Sequence, residues 1–168
     1  ALSVEELAIQ TALDEGDLER AAELAAEYAP RAPDTANAKA VLAAVAIEQS
    51  MAAADSANAD RLMHEALEAG VLVQEDQQLG VAELWLSDGE AERCRAIADR
   101  VYSQVKGDDP DAQYTRGLAL LIRGLARGEL GDPTGGAADL KKAISIAPSP
   151  EIAEEWQNYL DQMQQQAQ

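Results

Sequence analysis

Phenylalanine is absent, and all aromatic residues together make up only 4% of the chain. A single cysteine rules out an internal disulfide and any cysteine-based metal cluster. A single histidine leaves no histidine pair for a metal. Cations are scarce as well. Among 168 residues, 13 are Lys or Arg against 31 Asp or Glu, a formal net charge of −18. Nucleic acid and anionic lipid both require clustered cations, so that balance argues against either as the main partner. No apolar run approaches the ~20 residues of a membrane span, and the start does not look like a signal peptide.

What is present is helical material. Hydrophobic residues make up 47% of the chain, too many for a disordered acidic polymer. Alanine, the best helix former, supplies more than a fifth of all residues, and β-branched residues are sparse. The alternating Val/Ile/Thr/aromatic runs of a sheet are missing. An all-α fold follows, with helices approaching across small side chains. One domain is the natural reading of this length.

A repeat underlies the sequence. Gly16-Asp17, Ala54-Asp55, Asp88-Gly89 and Gly131-Asp132 recur as turn-like spots. Aligning Gly16, Ala54, Gly89 and Gly131 gives spacings of 38, 35 and 42 residues. Five residues further on stand Ala21, Ala59, Cys94 and Gly136, all small. Twelve further on stand Tyr28, Ala66, Val101 and Ala143, and seven before stand Ile9, Ile47, Ala82 and Gly124. A small residue just after a helical turn lets two backbones meet where the helices cross. The glycine ends the first helix and the aspartate caps the second. Helices are expected over 3–15, 17–30, 35–53, 56–70, 75–87, 90–106, 111–130, 134–147 and 150–166.

This pattern resembles the tetratricopeptide repeat, a helical hairpin of about 34 residues. The fourth unit is closest, from Gly124 through Gly131-Asp132 and Ala143 to Pro148; the first, with Gly16-Asp17, Ala21 and Pro33, is next. The second unit lacks both turn glycine and closing proline, and Lys106 replaces that proline in the third. The resemblance implies a right-handed superhelical stack of about four hairpins (2–35, 36–74, 75–110 and 111–148), with 149–168 as a capping helix, in a single domain over 1–168. Ile152, Trp156, Tyr159, Leu160 and Met163 form the apolar face of that last helix, which begins at Ser149-Pro150-Glu151. Some members of the family grip a chaperone's C-terminal carboxylate with Lys and Asn side chains. Here the corresponding positions hold Glu6 and Gln10 in the first unit and Asp76 and Gly80 in the third. The cationic clamp is missing.

Charge is unevenly distributed. Residues 1–35 carry a net −7 and residues 75–111 a net −6, whereas residues 112–148 carry +2. On the first helix of that basic unit Arg116, Arg123 and Arg127 fall within about 40° of one another. Tyr114, Leu118, Leu121 and Leu125 form the apolar stripe, and Gly117, Gly124, Gly128 and Gly131 a third. The arginines form a candidate patch for a partner's carboxylates, or else a face satisfied by solvent and internal acids. His64 shares a helix face with Asp60 and Glu68, an arrangement more typical of surface ion pairs than of a metal site. Cys94 reads as a small buried hydrophobe. Asp108-Asp109 and Glu75-Asp76 fall in expected loops. Gly131 to Gly136 is glycine-rich, but no Lys-Ser/Thr follows to make a phosphate loop.

Together these observations predict a non-catalytic scaffold or accessory subunit, without cofactor or metal, binding another protein on its concave helical face. Arg116, Arg123 and Arg127 are the expected contact for an acidic partner segment. The alternative is a small-molecule or metal-ion-binding accessory protein of an envelope transport system, with a pocket near Trp85 and Tyr114. Opening at Ala1 without Met fits removal of either the initiator or a leader, and acidic, lysine-poor composition suits an extracytoplasmic setting. A periplasmic or otherwise exported protein is therefore expected, with the cytoplasm as alternative.

Overall fold

The computed structural model describes residues 1–166. Those residues form nine α-helices, one short 3-10 turn and no strand. The helices are α1 (Val4–Asp14), α2 (Leu18–Tyr28), α3 (Ala36–Ala52), α4 (Ser56–Glu68), α5 (Glu75–Ser87), α6 (Ala91–Gln104), α7 (Pro110–Glu129), α8 (Pro133–Ile146) and α9 (Pro150–Gln166). Every end lies within two residues of the expected one. The end of α2 differs because Ala29–Arg31 continues as a 3-10 turn around Pro30, which has no N–H to extend the α-helical ladder. Of the acidic pairs expected in loops, Asp108-Asp109 lies in the segment before α7 as expected, whereas Glu75-Asp76 lies inside a helix start. Asp109 caps α7 by accepting the Ala112 N–H, and Glu75 and Asp76 form the first turn of α5, where carboxylates favour the dipole. No helix of the described residues is long and apolar enough to cross a membrane.

The four aligned turns share one geometry. Gly16, Ala54, Gly89 and Gly131 have φ of 75°, 54°, 79° and 85°. In each, the next residue's N–H reaches back five positions: Asp17 to Ala12, Asp55 to Ser50, Glu90 to Trp85 and Asp132 to Arg127, all at 2.9 Å. The aligned residue itself donates three positions back, completing the paired bonds that close a helix through a left-handed residue. Asp17, Asp55 and Asp132 then cap the following helix, accepting the N–H of Arg20, Asn58 and Gly135. Glu90 makes no such side-chain bond. Among the described residues Ala54 is the one non-glycine with a positive φ, where its Cβ is strained. Ala54→Gly is expected to raise stability by ~0.5–1 kcal/mol, read as a higher urea midpoint with unchanged slope.

The small position is buried in all four hairpins. Ala21, Ala59 and Cys94 are 0% exposed, and Gly136 is buried with Gly124 opposite it. A Cβ on Gly136 would stand 2.6 Å from the Gly124 carbonyl oxygen, so here backbone meets backbone.

Two compact units divide within α5, at Gln77/Gln78. In the first, α1 packs on α2 and α3, and α3 on α4. Its core joins Ile9, Ala21, Tyr28, Ala38, Val41 and Val45. Glu6 is also inside, 3% exposed. Its carboxylate accepts the Ser3 N–H at 2.9 Å and the Tyr28 hydroxyl at 2.7 Å. The Ser3 backbone first, then Tyr28, hold that carboxyl below its usual value, and Glu6 in turn raises the Tyr28 phenol. In the second unit α7 packs on α6 and α8, and α8 on α9. Trp156, Leu160 and Met163 of α9 cover Leu120, Leu121, Leu140 and Ala143. The glycine stripe of α7 serves this packing. Trp156 lies where a Gly117 side chain would be, Leu140 where a Gly124 side chain would be, and Met163 next to Gly128.

Candidate functional site

The arginine stripe of α7 faces the second helices of its hairpins. Arg123 donates to both carboxylate oxygens of Asp139 on α8, at 2.9 and 2.7 Å, and to Asp99 on α6 at 3.1 Å. Arg127 donates to the same Asp139 at 2.9 Å. The Asp139 side chain is 7% exposed and that of Arg123 16%. Such a fork-to-fork pair in a partly dry setting locks α6, α7 and α8 together. Hydrogen bonding to Asp139 raises the Arg123 pKa most, against the opposing effect of burial. Tyr102 of α6 sits beside this network. The Arg123 guanidinium carbon lies 5.0 Å from its ring centre, and Lys142 donates to its hydroxyl at 2.8 Å. Arg116 turns toward the loop before α7, donating to the Gly107 carbonyl at 2.8 Å. The three cations share a helix face, as their spacing requires, but Asp99 and Asp139 already engage Arg123 and Arg127. Asp139 was the missed partner. A carboxylate one turn beyond Gly136, on the buried face of α8, is the signal in the sequence that an internal cation had to meet it.

The remaining candidates are separate from one another. The His64 Nδ1 lies 3.0 Å from the Asp60 carbonyl oxygen and 3.3 Å from its carboxylate. Among the described residues no group of three His, Cys, Asp or Glu is placed to hold a metal ion. Arg93 covers the face of Trp85 at 4.8 Å, and Tyr114 packs against Trp156 with ring centres 5.9 Å apart. Glu6 is a core residue, not a groove residue. Burial, with smaller contributions from Glu129 and Glu83, pushes the Cys94 thiol up to about 12. At pH near 8 the thiolate is nearly absent from the folded chain. Iodoacetamide labelling, followed by mass spectrometry, should therefore proceed no faster than unfolding and accelerate sharply in denaturant. Rapid labelling in native buffer would contradict that burial.

Each unit carries an open cleft on the side of its first helices. In the first unit a cleft of about 360 Å³ is lined by Gln10, Leu13, Gly16, Leu18 and Glu48, with Gln77 at its edge. In the second a cleft of about 590 Å³ is lined by Leu86, Leu125, Gly128, Gly131, Pro133 and residues of α9. Both use the same repeat positions. Counted from the left-handed turn residue, Gln10, Glu48 and Leu125 stand at −6; Leu13, Leu86 and Gly128 at −3; Gly16 and Gly131 at 0; Leu18 and Pro133 at +2. The first cleft carries more polar side chains, with Gln77 donating to Glu48 at 3.2 Å and Gln10 to Asp14 at 2.9 Å. The second is mostly apolar. Comparison of the chain with protein-family models, curated proteins and solved structures finds no match.

Proposed function

We propose that the chain is a non-catalytic scaffold of tetratricopeptide-like hairpins, arranged as a right-handed superhelical stack capped by α9, that holds a partner protein on the face of its first helices. The observation that carries this reading is the recurrence of the cleft-lining positions −6, −3, 0 and +2 in both units. A repeated hairpin that keeps its second-helix side for packing and ion pairing leaves the first-helix side for contact. Arg123 and Arg127 serve the packing side in this reading, so the partner does not depend on them.

Affinity capture from a lysate of the encoding organism tests the proposal. A specific partner should be retained by the wild-type chain and by Lys141→Glu, on the exposed face of α8, and lost with Glu48→Lys or Gln162→Trp on the first-helix side. A partner lost with Lys141→Glu alone would place the contact on the opposite face. The volume of the second cleft lies within the range of small-molecule pockets, which favours the second reading, a ligand-binding accessory protein. A thermal-shift screen separates the two, because a bound small ligand raises the melting temperature.

A further inference from the structure

The cleft of the second unit is mostly apolar, and its lining holds one carboxylate, Glu129. Leu86, Leu125, Pro133 and Met163 are its apolar lining, together with Tyr159, which is 38% exposed. Among the described residues Glu129 is the one charged side chain in the lining. Glu83 occupies position −6 of α5, where Leu125 lines the cleft from α7, and is one turn before Leu86. Glu155 precedes Tyr159 by one turn on the same face of α9. All three are exposed, and no described cation pairs with any of them.

The cations of this unit are placed elsewhere. Arg93, Arg95 and Arg100 belong to α6, Lys106 to the segment between α6 and α7, and Lys141 and Lys142 to α8. Arg123 and Arg127 are drawn to Asp139, and Arg116 to the loop before α7. An apolar lining removes side chains from water, while unopposed carboxylates select the sign of what surrounds them.

We infer that this cleft docks an amphipathic segment of a partner protein, one that buries Leu- or Ile-sized side chains against Leu86, Leu125 and Met163 and sets Lys or Arg against Glu83, Glu129 and Glu155. This rests on the scaffold reading above and gives the partner its chemistry. An acidic segment would meet Glu129 and no lining cation there. A purely basic segment would leave the apolar lining wet.

The test uses the full chain and two fluorescein-labelled synthetic peptides of equal length. One repeats Leu-Lys-Lys-Leu-Leu-Lys; the other has Glu in place of each Lys. Fluorescence anisotropy should show binding of the lysine peptide and none of the glutamate peptide. Gln162→Trp fills the cleft without changing net charge and should weaken binding about tenfold or more, with circular dichroism unchanged. Glu129→Gln, in the lining, should weaken it several-fold and reduce its salt dependence. Undiminished binding to both variants would mean diffuse attraction to a chain of net charge −18 and would overturn the assignment. Equal binding of the glutamate peptide would overturn it too. A captured protein partner retained equally by wild type and Gln162→Trp, but lost with Glu48→Lys, would overturn this assignment while leaving the scaffold reading intact.

Discussion

Asp139→Ala is expected to destabilise the chain by ~3 kcal/mol, the largest effect of any single substitution considered, because it removes one side of a buried charge pair. The Asp139 side chain is 7% exposed and holds Arg123 by two bonds and Arg127 by a third. Removing it leaves two guanidinium groups facing each other, with Asp99 as the remaining anion for Arg123. Arg127→Met is milder, because Asp139 keeps both bonds to Arg123. The Asp139→Ala/Arg123→Met double variant should recover part of the loss, since it removes one of the two guanidinium groups left without Asp139. Urea titration of the four chains measures this. Because the pair is mostly shielded from solvent, the loss should change little with added salt. An Asp139→Ala chain as stable as wild type would mean that the network is ornamental.

The second large effect concerns the hairpin crossing. Alanine in place of glycine inside a helix ordinarily raises stability by ~1 kcal/mol. At Gly136 the sign should reverse, to a loss of ~1–3 kcal/mol, because the new Cβ would press on backbone that cannot rotate aside. It would stand 2.6 Å from the Gly124 carbonyl oxygen and 3.3 Å from the Gly128 nitrogen. Gly128→Ala is the control. Its Cβ would meet the Met163 methyl at 3.0 Å, the end of a flexible side chain that can move. Melting curves should therefore separate two glycine-to-alanine changes made a few ångströms apart. If both stabilise, the helices do not cross where the structure places them.

That crossing was legible in the sequence because it depends on local rules. A left-handed turn residue, a capping aspartate and a small residue five positions on are fixed by backbone geometry within one hairpin, so the alignment of Gly16, Ala54, Gly89 and Gly131 survives even where alanine replaces glycine. Helix ends followed for the same reason. The surroundings of Arg123 were not legible in this way. Its partners Asp99 and Asp139 lie on two other helices, 24 and 16 positions away; the place of Asp139 one turn beyond Gly136 marks it as inward-facing, but the packing of α6 and α8 against α7 decides which cation meets it. Glu6 shows an intermediate case. Ser3 and Glu6 already have the spacing of a capping box, which the structure forms, but the Tyr28 hydroxyl that completes its burial comes from the next helix. Neither Trp85 nor Tyr114, where a pocket was expected, lines either cleft, since a cavity is what side chains on several helices leave between them.

Whether contact is made through the first helices is answered most directly by residue-level mapping. Amide chemical-shift changes in the isotope-labelled full chain, on titration with the leucine–lysine peptide, should concentrate at Leu86, Gly128, Gly131 and Gln162 and leave the exposed residues of α6 and α8 still. Changes centred on α6 and α8, or spread evenly over every acidic helix, would contradict the account.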